Sequence, residues 1–357
     1  MRKRSVTTLA LGAASLLIGS ALIGCSSGGG GGEAGGEPLT LVTWGGTTDE
    51  GYRTALAEPF TKETGIPTEM VNPVDYGKYA AQIESDQVTW DWVDLEGWFP
   101  VQNPDWWAPI DKDIVKYDES DVIQLPGRES EKMDWGLPSG SYSFVIAHRT
   151  DTDLKTPTTW EEFFDTEKFP GKRAVYNYPY GMLEVALLAD GVAYEDLYPL
   201  DMDRALKKLD TVRDDLVFWN SGAELQQMMT SGEADFSFAW NNRIANLAKQ
   251  GQPVAIEWNE NLMDGGYDVT AKNNPQVKET MQLFSKLMDP EVQVKISEAT
   301  GYSPSLRSSF EKLPKEDQPY YSAYPENMEQ SVGSINLQWW ADNFDQAVEK
   351  WSSWAGQ

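Results

Sequence analysis

The fold is decided by residues 39–71, which read LTLVTWGGTTDEGYRTALAEPFTKETGIPTEMV. The opening residues alternate and are rich in β-formers, so they predict a strand that ends at a pair of glycines. The next stretch places Tyr52, Leu56 and Phe60 on one face, which predicts a helix ended by Gly65. A second strand follows. Strand, helix and strand in this order predict a parallel sheet covered by helices.

The alternation of strands and helices continues along the chain. Thr159 with Glu162, and Ser221 with Glu224, form capping boxes that mark the starts of helices. Residues 236–240 alternate aromatic and small side chains, which predicts a further strand. The sequence therefore predicts an α/β protein. Its length exceeds the usual size of one compact core, which favours two lobes.

The beginning of the chain has the features of an export signal. Three basic residues precede an apolar run at residues 9–23, and Cys25 is the only cysteine. This pattern resembles the lipobox of bacterial lipoproteins, and the run is short of the roughly 20 residues that span a membrane. We expect residues 1–24 to be a signal peptide, Cys25 to carry the lipid, and residues 25–38 to form a glycine-rich tether. The protein would then be extracytoplasmic and anchored to the cell membrane by lipid.

The composition is strongly acidic. Lys and Arg number 29 against 56 for Asp and Glu, which gives a formal net charge of −27. This balance disfavours nucleic acid and anionic ligands, and it favours a cationic ligand. An even distribution of acids that only solvates the surface explains the charge equally well. The 15 tryptophans and 15 tyrosines exceed what a core of this size needs, and aromatic walls can face cations.

Six short segments are specific as an ordered set. They are VTW at 42–44, FTKETGI at 60–66, PTTWEEFFDTEKFPGK at 157–172, SGEAD with AWN between 231 and 241, DPE at 289–291 and TGYSP at 300–304. Together they span nearly all of the chain after the tether. They resemble the extracellular solute-binding proteins of ABC importers, and specifically the spermidine/putrescine-binding branch.

The resemblance implies a periplasmic-binding-protein-like α/β fold of two lobes, each a mostly parallel sheet flanked by helices, joined by a hinge. By analogy, residues 39–145 with about 269–318 form lobe I, and residues 146–268 with about 319–357 form lobe II. The implied function is the substrate-binding component of an ABC importer. Its partners would be the small ligand and the permease and ATPase subunits, and we expect a monomer that needs no cofactor and no metal.

The resemblance also implies a set of ligand-binding residues between the lobes. They are the aromatic and acidic residues at strand ends and at the expected crossover: Trp44, Glu96, Trp98, Ser139, Tyr142, Tyr180, Trp240, Asp264 and Tyr302. Asp264 would be the main salt-bridge partner of an amine, although its glycine-flanked position also suits a turn. From the residues alone, Trp44 and Trp240 could equally be core residues that cap their strands.

One departure from the polyamine-binding pattern concerns residues 176–182. This strand-to-helix segment has no carboxylate, whereas the relatives place two acids there, and Glu184 is the nearest acid. A long polyamine needs spaced counter-charges, so a smaller cationic amine fits the sequence better than spermidine. A sugar, a betaine or an amino-acid derivative remains an alternative ligand.

An enzymatic function has little support in the sequence. The single histidine, His148, has no spare cysteine or nucleophile motif to act with. A secreted carbohydrate-active enzyme is a remote alternative, because it needs only two carboxylates that flank a cleft. Tyr320-Tyr321 suggests a ferric-ion site, but these residues lie beyond the expected cleft. We therefore predict a binding protein and not an enzyme.

Overall fold

A computed structural model describes residues 36–129 and 133–356. The predicted signal peptide, Cys25 and all but the last residues of the tether lie outside the described residues. The strands are β1 (Leu39–Val42), β2 (Thr68–Val71), β3 (Trp92–Leu95), β4 (Leu137–Arg149), β5 (Arg173–Tyr176), β6 (Leu216–Trp219), β7 (Phe236–Trp240), β8 (Val254–Val269) and β9 (Ser331–Ser334).

Helices surround these strands. They are α1 (Thr47–Tyr52), α2 (Glu58–Thr64), α3 (Tyr76–Glu84), α4 (Trp98–Gln102), α5 (Trp160–Phe163), α6 (Met182–Ala189), α7 (Met202–Asp210), α8 (Gly222–Ser231), α9 (Asn241–Lys249), α10 (Val277–Leu287), α11 (Pro290–Thr300), α12 (Arg307–Phe310), α13 (Pro325–Glu329) and α14 (Leu337–Ala355). Within the described residues, no helix is both long and apolar enough to cross a membrane.

The strands form one mixed sheet in the order β2-β1-β3-β8-β4-β7-β5-β6, and β9 pairs with β8. We call β1, β2 and β3 the first half of the sheet, and β5, β6 and β7 the second half. Pairing is parallel within each half. The long strands β4 and β8 run antiparallel to each other between the halves. The predicted α/β fold is confirmed, and the antiparallel centre is an addition that the parallel pattern did not predict.

The opening segment folds as its sequence predicts. One helical stretch runs from Thr47 to Thr64 through a single π-helical turn at Arg53–Ala57. It ends at Gly65, whose φ of 79° is the left-handed conformation that favours glycine. The helix begins at Thr47, directly after the pair of glycines. Tyr52, Leu56 and Phe60 are buried on the sheet, as the periodicity predicts.

The local helix signals are also confirmed. The Thr159 hydroxyl accepts a hydrogen bond from the Glu162 amide at 3.1 Å, and Ser221 accepts one from the Glu224 amide at 3.3 Å. The strand predicted at residues 236–240 is β7. These agreements follow because caps and strand alternation depend only on neighbouring residues.

The C-terminal helix α14 contacts elements of both halves. Gln102, at the end of α4, donates a hydrogen bond to the Ala341 carbonyl at 2.8 Å. On the other side, the Trp354 indole donates to Asp210 of α7 at 2.7 Å. A single helix therefore packs across the halves that the two long strands connect.

Candidate functional site

Side chains from several elements meet at one small cavity, which we call the site cavity. Its volume is about 30 Å³, which is room for about one or two water molecules. It lies at the carboxyl ends of β1 and β3, where they meet the middle of β4 and β8. The lining residues are Trp44, Tyr52, Asp94, Leu95, Glu96, Ser139, Gly140, Tyr142, Asp264, Gly266 and Tyr302.

The structure brings six of the nine predicted site residues to this cavity: Trp44, Glu96, Ser139, Tyr142, Asp264 and Tyr302. Trp98 and Tyr180 lie directly behind it, because each is hydrogen-bonded to one of its carboxylates. Trp240 does not line it. A role in ligand binding stays a prediction for all nine residues.

Glu96 lies in the site cavity with one oxygen engaged. Its Oε2 accepts hydrogen bonds from the Tyr76 hydroxyl at 2.8 Å and the Trp98 indole at 3.0 Å. Burial raises the pKa of Glu96 to about 7, these two donors oppose the rise, and the charge of Asp264 adds to it. Within the described residues Oε1 accepts no hydrogen bond. Tyr76 is a residue that the sequence analysis missed.

Asp264 is buried and fully hydrogen-bonded. Its Oδ2 accepts from the hydroxyls of Tyr142 and Tyr180, each at 2.9 Å. Its Oδ1 accepts from the Gly265 amide at 2.8 Å and lies 3.3 Å from Nη1 of Arg128. Burial raises the pKa of Asp264, and Arg128 is the largest opposing influence. The sequence analysis did not single out Arg128, which lies in the long segment between α4 and β4.

Two further carboxyl groups, Asp94 and Asp268, are opposite each other on β3 and β8. Directly opposed residues of an antiparallel pair point to the same face, so the two carboxyls are neighbours. The Trp92 indole donates to Asp268 at 2.9 Å. Burial raises the pKa of both groups, and each acid has a neighbouring acid that raises it further, Asp94 for Asp268 and Glu96 for Asp94. This pair was not predicted, because it depends on the register of strands that are distant in sequence.

Each strand in the second half of the sheet ends in an aromatic residue. Tyr176, Trp219 and Trp240, at the carboxyl ends of β5, β6 and β7, form what we call the aromatic cluster. Tyr176 and Trp219 stack at a centroid distance of 4.5 Å, and Trp240 meets both rings edge-on at 5.2 and 4.8 Å. Trp219 is buried and Trp240 is half-buried. The ring of Trp240 is turned toward Trp219 and not into the site cavity.

Arg243, in the first turn of α9, is a cation that the sequence analysis missed. Its Nη1 donates a long hydrogen bond of 3.3 Å to the Thr47 hydroxyl, across to the start of α1. Its Nε is buried and has no hydrogen-bond partner among the residues that the structure describes. The pKa of Tyr302 is raised by burial, and the charge of Arg243 opposes the rise. Arg243 therefore acts on the same tyrosine that lines the site cavity.

Glu184, the acid nearest to residues 176–182, does not line the site cavity. It is buried, and its Oε1 accepts from the indole of Trp340 at 2.6 Å and the hydroxyl of Tyr198 at 2.8 Å. It therefore connects α6 to the C-terminal helix.

A larger cavity of about 830 Å³ lies beside the segment between α4 and β4. Of the predicted residues, Ser139 alone lines it. Arg128 lines it as well, so the Arg128–Asp264 pair separates the two cavities. Within the described residues, no group of three or more His, Cys, Asp and Glu side chains is placed to hold a metal ion.

Comparison with known proteins agrees with the α/β fold described above. The family model described as "Bacterial extracellular solute-binding protein" matches residues 55–329. The gamma-aminobutyric acid-binding protein of Pseudomonas aeruginosa is 28% identical over 328 residues, which is 90% of this chain and 92% of that protein.

Two solved structures have similar folds. The Atu4243 GABA receptor is 34% identical, with a TM-score of 0.81 over 89% of this chain and 97% of that chain. The protein AgtB of A. tumefaciens R10, in complex with agropinic acid, is 28% identical, with a TM-score of 0.77 over 90% of this chain and 99% of that chain. None of these three proteins is described as binding spermidine or putrescine, so the branch within the family stays a prediction.

Proposed function

We propose, from the premise that the chain belongs to the bacterial extracellular solute-binding protein family, that its ligand is a small amino acid of the γ-aminobutyrate type. The chain is the substrate-binding component of an ABC importer. It works outside the cytoplasm with permease and ATPase subunits. The proposed ligand has the amine that was predicted from the sequence, and it also has a carboxylate.

The observation that carries the proposal is the presence of two buried acids in one aromatic-walled cavity. Glu96 and Asp264 both line it, and the charge of Asp264 raises the pKa of Glu96. Asp264 already has a cationic partner in Arg128, whereas Glu96 has none among the described residues, and a buried charge is costly unless a cation pairs with it. An ammonium group bound to the open Oε1 of Glu96 would supply that cation, with the ring of Trp44 as a wall.

The carboxylate end of the ligand is assigned to Arg243. A buried guanidinium nitrogen without a partner is an expensive feature, and a carboxylate is the acceptor that guanidinium geometry suits best. The first turn of α9 adds a favourable potential for an anion. The ammonium group of the ligand would thus pair with Glu96, and its carboxylate would pair with Arg243.

We propose that the site opens by a hinge. A volume of about 30 Å³ is far smaller than the usual ligand pocket, so the described conformation is closed. The long strands β4 and β8 connect the halves and suit a hinge. The lobe boundaries proposed from the sequence, 39–145 with 269–318 and 146–268 with 319–357, place that hinge within these strands. Opening would separate Glu96 from Arg243 and admit the ligand.

Anchoring by lipid at Cys25 is also a proposal, carried by the lipobox pattern. Two or three acyl chains at one terminus give stable attachment to a membrane. We expect Cys25→Ala to move the protein from the membrane fraction to the soluble extracytoplasmic fraction of the cells that express it. Retention in the membrane fraction would contradict lipid anchoring.

Isothermal titration of the purified protein tests the ligand class. We expect γ-aminobutyrate to bind more tightly than butylamine, butyrate, putrescine, spermidine or a sugar. A ligand at 100 times its dissociation constant also adds about 2.7 kcal/mol to stability, which a thermal shift detects. Tighter binding of putrescine would return the ligand to the polyamine class, and tighter binding of an opine or a sugar would overturn the amino-acid proposal.

A further inference from the structure

We infer that Arg128 limits the site to a single ammonium group by neutralising Asp264. The inference rests on the proposed function and names the residue that separates amino acids from diamines. Arg128 does not line the site cavity, so it is a specificity-determining residue that acts through Asp264.

The ion pair is enclosed by protein. The side chain of Arg128 is 8% exposed and that of Asp264 is 1% exposed, and 3.3 Å separates Nη1 from Oδ1. The same nitrogen donates to the Gly265 carbonyl at 3.1 Å, which holds the guanidinium against the strand. Screening by water is weak at such a site, so the two charges largely cancel for any ligand in the cavity.

The hydrogen bonds of Asp264 support the same conclusion. A carboxylate has about four acceptor positions. Those of Asp264 are taken by Arg128, the Gly265 amide, Tyr142 and Tyr180. A ligand ammonium therefore finds neither a net charge nor an open oxygen at Asp264.

Glu96 differs in both respects. Its two hydrogen-bond donors, Tyr76 and Trp98, are neutral and share Oε2. Asp94 also lines the cavity, but it lies directly opposite Asp268, and two neighbouring buried carboxyls are satisfied by sharing one proton with each other. The site therefore has one carboxylate ready for one ammonium group, which fits an amino acid and disfavours a diamine.

Removing Arg128 and removing Asp264 should shift the selectivity between putrescine and γ-aminobutyrate in opposite directions. Arg128→Met keeps much of the side-chain volume and returns a negative charge to Asp264. We expect the ratio of the dissociation constants for putrescine and γ-aminobutyrate to fall at least tenfold. Asp264→Asn removes the carboxylate that pairs with Arg128 and makes the surroundings of the site more positive, so the same ratio should rise. Arg128→Lys keeps the charge and should restore most of the wild-type ratio.

The test is isothermal titration of both ligands to the full-length protein and its variants, with the exposed Arg307→Met on α12 as the matched control. If Arg128→Met is too unstable to purify, Asp264→Asn still decides the direction of the shift. Equal weakening of both ligands in both variants indicates a structural role and overturns the inference, while γ-aminobutyrate binding to the wild type preserves the proposed function. If the wild type binds neither ligand, the proposed function and the inference both fail.

Discussion

The two halves of the sheet differ in the chemistry of the residues at the carboxyl ends of their strands. The first half contributes acids and hydroxyls, with Glu96 after β3 and Tyr76 hydrogen-bonded to it. The second half contributes the aromatic cluster, followed by the cation Arg243 at the start of α9. A ligand that bridges the halves would be oriented, with its ammonium toward the first half and its carboxylate toward the second. This contrast is the basis for proposing a γ-amino acid as the ligand in place of a molecule with two like ends.

The largest effect is expected from the acidic side of the comparison. Glu96→Gln keeps the shape of the side chain and removes the charge that pairs with the ammonium. Loss of one partner of a buried charge pair costs about 2–5 kcal/mol, so the dissociation constant for γ-aminobutyrate should rise at least about 30-fold. Titration calorimetry measures it. Glu84→Gln, on the exposed side of α3, is the matched control and should bind like the wild type.

The next largest effect is expected from Arg243. It distinguishes ligands that have a carboxylate from ligands that lack one. Arg243→Gln removes a charge-assisted hydrogen bond of about 1.5–3 kcal/mol, so γ-aminobutyrate should bind roughly 10- to 100-fold more weakly. Butylamine has no carboxylate, and its affinity should stay the same. Arg307→Gln serves as the control. Equal weakening of both ligands would show that Arg243 does not read the carboxylate.

Binding should depend on pH through the acidic half alone. Glu96 has a raised pKa of about 7, and the ammonium prefers its ionised form. Affinity should therefore fall as the pH drops through 7, by roughly tenfold between pH 8 and pH 6. An alkylammonium keeps its charge throughout this range, since its pKa is about 10. Titrations of wild type and Glu96→Gln at both pH values decide the matter, because only the wild type should show the slope.

The smallest effect is expected from the aromatic cluster. Trp240→Leu removes the ring directly before α9, and ring contacts of this kind are worth about 0.5–1.5 kcal/mol to the placement of the helix that carries Arg243. The dissociation constant should rise about 2- to 10-fold. Phe218→Leu changes a half-buried ring on the adjacent β6 that packs against Trp354 instead, so it tests whether the loss is specific to the cluster. An unchanged affinity in Trp240→Leu would confine Trp240 to packing.

The site residues at strand ends were predicted from the family resemblance, and the fold explains why they meet. Trp44 and Glu96 follow β1 and β3, and the carboxyl ends of parallel strands meet at one edge, so both reach the same cavity. Asp264 and Tyr142 needed the family resemblance as well, because they lie within long strands that cross the centre of the sheet.

The remaining charged residues depend on contacts that no local pattern encodes. Arg128 comes from an irregular segment and reaches β8 only in the folded chain. Asp94 and Asp268 face each other because of strand register. Trp240 ends its strand as predicted, but packing against Trp219 decides where its ring points. Sequence patterns thus located β1, β2 and β7, and the family resemblance named six residues of the cavity wall, whereas the balance of charge required the tertiary structure.

The most direct test of the oriented site is a crystal structure of the protein with γ-aminobutyrate. The account predicts the ligand nitrogen within hydrogen-bond distance of Oε1 of Glu96 and the ligand carboxylate on the guanidinium of Arg243. A ligand bound in the reverse orientation, or one held in the larger cavity beside Arg128, would contradict it.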